Sequence, residues 1–105
     1  MDIMGMMKQA AQLQSRMQEM QAELERTEVE GASGGGLVRV TLTAKGELKG
    51  VAIDDSLVKP DEKEILEDLL IAAHADARRK ADALVQEKMK ALTGGLPLPP
   101  GLNLF

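Results

Sequence analysis

At 105 residues the chain has room for one hydrophobic core and hardly for two. Its 17 Asp and Glu against 13 Lys and Arg leave a formal charge of -4, which excludes a uniformly basic wrapper of nucleic acid. Cysteine is absent and Phe105 is the only aromatic residue, which excludes disulfides, thiol catalysis, zinc fingers and base-stacking platforms for single strands.

No window approaches the ~18 apolar residues of a membrane span, and the N-terminus lacks a basic region followed by an apolar signal core. A cytoplasmic protein with no membrane partner is the expectation.

From Met4 to about Arg26 the residues Met6, Ala10, Leu13, Met17, Met20 and Leu24 recur at alternating steps of four and three, which predicts a long amphipathic helix. Six of the seven methionines lie in the first twenty residues, where they suit irregular helix seams as core filler. Between Thr27 and Asp54 the period changes to two. Thr27 to Gly31 reads as a weak first strand, Ser33 to Gly36 as a turn, and Leu37 to Ala44 as the clearest strand, with Val38, Val40 and Leu42 on one face. Lys45-Gly46 makes a hairpin turn, and Glu47 to Asp54 returns antiparallel with Val51 and Ile53 inward. Leu48 falls out of phase with those two, so a bulge is expected near Gly50.

Asp61, followed by Glu64, has the spacing of a capping box, and a second helix is predicted from there to about Leu92. Its stripe of Leu66, Leu69, Leu70, Ala73, Ala77, Ala81 and Leu84 has an alanine centre that admits a close neighbour. Thr93-Gly94-Gly95 ends it, and the Pro-rich remainder can only be extended or polyproline-like. The expected division is therefore a helix-sheet-helix domain over residues 1–92 and a Gly/Pro-rich tail over 93–105. A helix from Asp61 to Leu92 is about 48 Å long, against a radius of gyration of roughly 13 Å for a compact domain of this size. It must protrude, and its apolar stripe calls for a partner. The expected fold is thus α+β: long N-terminal helix, three-stranded antiparallel sheet, long C-terminal helix and extended tail, assembled as a two-fold homodimer with protruding helices.

Charge is segregated along the chain. Residues 1–18 carry Lys8 and Arg16 against Asp2 alone, and residues 71–90 carry five bases against Asp76, Asp82 and Glu87. On a helical wheel Arg79 and Lys90 fall nearly on one line with Gln86 beside them, while Arg78 lies on another flank. Lys80, nearer the apolar stripe, is expected to meet Glu19 or Glu23 of a neighbouring helix.

The ordered segments Met7-Lys8-Gln9-Ala10, Met17-Gln18-Glu19-Met20-Gln21, Gly34 to Thr41, Val51-Ala52-Ile53-Asp54-Asp55-Ser56-Leu57, Leu66 to Ala73, Asp76 to Lys80 and Leu98-Pro99-Pro100-Gly101 resemble the YbaB/EbfC family of bacterial nucleoid-associated proteins. The resemblance runs end to end. It implies a homodimer whose paired helices project like tweezers and bind double-stranded DNA in the nucleoid, with roles in chromosome compaction and gene regulation and no catalysis. Under it Lys8, Arg16, Arg78, Arg79 and Lys90 are the candidate phosphate contacts, doubled by the dimer.

Other chemistries find little support. His74 stands without a second His or a nearby nucleophile, Gly34-Gly35-Gly36 is not followed by Gly-Lys-Ser/Thr, and Asp54-Asp55 lacks calcium-loop spacing. No catalytic residue, metal site, cofactor or small-molecule substrate is expected. The competing function is a protein-interaction or holdase-like module that uses the Met-rich amphipathic helices for clients.

Overall fold

A computed structural model describes residues 2–93 of the chain. Helix α1 spans Ile3–Arg26, strands β1, β2 and β3 span Glu28–Ser33, Val38–Thr43 and Leu48–Ile53, and helix α2 spans Lys63–Thr93. Of the tail expected over 93–105, Thr93 is the last residue of α2, and residues 94–105 lie outside the described residues.

Asp2 starts α1 by accepting a hydrogen bond from the Gly5 amide at 3.1 Å, filling one of the donors that a helix start leaves open. Thr27 ends it, its hydroxyl donating to the Glu23 carbonyl at 2.8 Å. The sheet is an antiparallel meander in the order β1-β2-β3. The turn between β1 and β2 is made by Gly34, Gly35 and Gly36, all with positive φ, which glycine adopts without the Cβ penalty.

The expected bulge is present. Thr41 pairs with Gly50 and Leu42 with Leu48, so Lys49 is the extra residue, and the shift returns Leu48 to the face shared by Val51 and Ile53. That face is the one on which Val38, Val40 and Leu42 are buried beneath Ala73 and Ala77 of α2. Val51 and Ile53, however, are exposed rather than inward. The reason is the course of α2, which crosses the sheet over β1 and β2 and stops short of β3. The capping box is also corrected. Asp61 lies inside a short opening turn, Pro60–Glu62, that leads into α2, and Lys59 ahead of it supplies no side-chain cap. Pro60 opens that turn with its fixed φ, and Asp61, Glu62 and Glu64 place negative charge at the positive end of the helix dipole.

Two small cores result. One joins Val38, Val40, Leu42 and Leu57 to Ala73 and Ala77, and the other joins Met20, Leu24 and Ala44 to Leu84, Val85, Met89 and Leu92. The second fixes how the helices lie. Leu24 meets α2 at Val85, while Arg16 meets it at Ala91 and Leu92, so α1 and α2 are antiparallel and form an arm leading away from the sheet. The described molecule measures 71 × 25 × 16 Å, as the length of its helices requires.

The two sheet edges are treated differently. On the outer edge of β1 the Ala32 amide donates to Asp76 at 3.0 Å, and the Lys80 ammonium donates to the Glu30 carbonyl at 2.9 Å. These α2 side chains occupy backbone groups that a further strand would need. The outer edge of β3 has no such cover among the described residues.

Candidate nucleic-acid interface

The bases singled out in the sequence do not converge on a pocket; they are strung along the arm. Arg78 and Arg79 sit where α2 crosses the sheet, and Lys90 lies three turns, about 16 Å, farther out. Arg79, Gln86 and Lys90 share the side of α2 turned away from its buried Ala73, Ala77 and Ala81, and all three are exposed. On α1, Lys8 lies opposite the apolar stripe near the arm's end, and Arg16 lines the groove between the helices with Glu23, Lys88 and Leu92.

Each of the two central arginines already faces a carboxylate. Arg78 Nε is 3.5 Å from Asp82 Oδ1, and Arg79 Nη2 is 3.3 Å from Asp76 Oδ1. Both arginines and Asp82 are exposed and Asp76 is half-buried. Ion pairs at a surface contribute only about 0–1 kcal/mol, so either guanidinium can turn to a phosphate at little cost while Asp76 stays on the strand edge. Arg78 also packs on the hairpin: a Cβ added at Gly46 would stand 2.7 Å from its guanidinium. This brings Lys45 beside Arg78 and Gln86 around an open hollow of about 500 Å³. Lys45, whose ammonium is 3.2 Å from Glu25, is a cation that periodicity did not single out, because only the tertiary course of the turn carries it to α2.

Lys80 does not reach Glu19 or Glu23. It is turned back to Asp76, at 3.2 Å, and to β1, and Lys88 pairs with Glu23 instead. Two turns of helix separate these lysines, and only Lys88 lies where α1 runs alongside. Its hydrogen bond holds the Glu23 carboxyl below the usual range.

Asp76 is a tie between strand and helix. The Ala32 amide, followed by Lys80 and Arg79, holds its carboxyl below the usual range. A carboxylate whose folded value lies below its unfolded value of ~3.9 adds stability above that pH and loses it as the pH falls through the folded value. Asp76→Asn should therefore lower the thermal midpoint at neutral pH, and the gap from the parent should close progressively below about pH 4. Melting curves recorded across that range check this.

Among the described residues no group of three His, Cys, Asp or Glu is placed to hold a metal ion. No described helix is long and apolar enough to cross a membrane. An apolar hollow of about 320 Å³, lined by Val40, Leu48, Val51, Leu70, Ile71 and His74, opens beside β3.

The chain resembles known proteins throughout its length. It is 71% identical over 103 residues to a "Nucleoid-associated protein" of Rhodopseudomonas palustris strain BisB5, covering 98% of this chain and 97% of that one. It is 63% identical over 103 residues to a protein of the same description from Methylocella silvestris, covering 98% and 96%. An uncharacterised protein of Helicobacter pylori, solved by crystallography, has the same fold, with a TM-score of 0.78 at 24% identity over 90% of this chain and 99% of that one. The model of one family matches residues 1–96, and the chain belongs to that family, the YbaB/EbfC DNA-binding family.

Proposed function

We propose that the chain is a nucleoid-associated protein that binds duplex DNA as a homodimer, mainly through phosphates and with weak sequence preference, and so acts on chromosome organisation and gene regulation. The observation that carries this is the surface of α2. A helix whose buried side is alanine presents Arg79, Gln86 and Lys90 on its opposite side, on an arm that leaves the sheet and can lie along a duplex. Arg78 at the hairpin, together with Lys8 and Arg16 on α1, extends the cationic surface, and a second copy doubles it. Net charge of -4 then limits binding to those places where carboxylates are sparse.

Lysine and arginine that neutralise phosphates release condensed counterions, and affinity falls with salt in proportion to the number of phosphates neutralised. In gel-shift titrations at two ionic strengths, Arg78→Gln/Arg79→Gln/Lys90→Gln should weaken binding to random and palindromic duplexes alike. It should also flatten the salt slope by about 0.9 for each phosphate that is no longer neutralised. Unchanged affinity and slope would refute the assignment of these residues. The exposed methionines of α1 also suit a holdase-like module, whose capture of an unfolded client would hardly respond to salt.

A further inference from the structure

The apolar stripe of α1 is covered along only half its length. Exposure rises from 1% at Leu24 and 6% at Met20 to 48% at Leu13 and 58% at Met6. The change comes where α2 ends, since Arg16 is the first α1 residue in chain order to line the groove with Ala91 and Leu92. Beyond that level α1 continues alone for about 20 Å, with Met6, Ala10 and Leu13 still on the side that α2 covers farther in.

We infer that the chain's own C-terminal segment, residues 94–105, covers this half of the stripe and so completes the arm. Three observations point to that occupant. The first is direction: α2 runs antiparallel to α1 and outward, so its axis at Thr93 points along the uncovered stripe. The second is length. The ten residues from Leu96 to Phe105 reach about 31 Å at the rise of an extended polyproline chain, more than the distance from Met17 back to Ile3, about 21 Å. The third is chemistry. The segment carries Leu96, Leu98, Leu102, Leu104 and Phe105 with no charged side chain, whereas the arm it follows is rich in charge. Three prolines at positions 97, 99 and 100 fix φ in advance, which lowers the entropy lost when the segment is ordered against a surface. Lys8 lies on the far side of α1 and stays open to an anion. The inference is independent of both pairing and DNA binding.

The native methionines provide the readout. Met4, Met6 and Met7 are all exposed on α1, but only Met6 lies on the stripe, so without a cover the three should oxidise at similar rates. In the full chain, limited peroxide treatment followed by peptide mass spectrometry should find Met6 oxidised several-fold more slowly than Met4. Leu98→Asp/Leu102→Asp, which leaves residues 1–93 unchanged, should abolish that difference. A second measurement separates a chain's own segment from a partner's. The protein has no cysteine, so Leu13→Cys/Leu98→Cys installs one possible disulfide, and Ser15→Cys/Leu98→Cys, on the opposite side of α1, is its control. The first pair should close several-fold faster, within a single chain of 11.3 kDa. The inference is overturned if Met6 and Met4 oxidise alike in the parent, or if Met6 protection survives the Asp substitutions. It also fails if the two cysteine pairs close equally fast or only between chains.

Discussion

Gly31→Ala should be among the most disruptive single-methyl changes in the protein. A Cβ at this position would stand 2.7 Å from the Ala77 Cα and closer still to the Ala77 amide nitrogen and the Ala73 carbonyl oxygen. All three are backbone atoms in the middle of a long helix, so they cannot turn aside as a flexible side chain can. Relief requires lifting α2 off β1, which opens the core made by Val38, Val40 and Leu42 and pulls Asp76 and Lys80 from the strand edge. Overpacking a well-filled core costs typically about 1–3 kcal/mol, and this site belongs at or above the upper end because the obstruction is rigid on both sides. Urea denaturation should show the midpoint falling accordingly. Gly35→Ala separates this effect from glycine's conformational freedom. Gly35 has φ +70° with open space around it, so the change there costs only the left-handed backbone penalty of about 1–2 kcal/mol. Gly50→Ala, with neither constraint, should be nearly silent. Equal destabilisation at all three positions would mean that helix-strand packing at Gly31 is not what the methyl disturbs.

The alanine stripe of α2 was legible as a surface built for close approach, but its partner was not. Gly31 reads in the sequence as a strand terminator, and β1 runs on past it to Ser33 because Asp76 and Lys80 satisfy its outer edge. Periodicities gave both helices and all three strands, since each element has one buried side and the repeat of that side is a local property. The bulge was legible for the same reason: Leu48 out of phase with Val51 and Ile53 is a local contradiction that only an inserted residue resolves. What local pattern cannot hold is the course of one element over another. Val51 and Ile53 alternate like buried residues, yet whether they are covered depends on how far across the sheet α2 reaches. The late lysines present the same difficulty, because the choice between Lys80 and Lys88 as the partner of Glu23 is set by where α1 lies. In the candidate interface the line of Arg79, Gln86 and Lys90 was legible on a helical wheel. The packing of Arg78 on the Lys45-Gly46 turn was not, because it joins residues more than thirty positions apart.

Val51→Glu should convert the proposed dimer to single chains and take much of its duplex affinity with it. Leu48, Val51 and Ile53 continue the face on which Val38 and Val40 are buried, Leu70 and Ile71 of α2 stand beside them, and all five are between 36% and 69% exposed. They form the rim of a core that stops halfway, beside the outer edge of β3, which among the described residues no side chain of α2 occupies. An open apolar edge of this kind is a template for another strand, and a copy of the same strand fits it by symmetry, extending sheet and core together. A glutamate at position 51 leaves the separate chain almost undisturbed, because that side chain is already partly in water. In a two-fold seam it would take two charges out of water among Leu48, Leu70 and Ile71, a penalty of several kcal/mol for each. Sedimentation should therefore fall from twice to once the 11.3 kDa chain mass while the helical circular dichroism signal is kept. Because a dimer presents two arms to one duplex, halving the number of neutralised phosphates should halve the slope of log affinity against log salt. A variant that remains dimeric would move the seam away from β3. A monomer with undiminished affinity and slope would mean that one arm suffices, and that pairing serves some purpose other than gripping DNA.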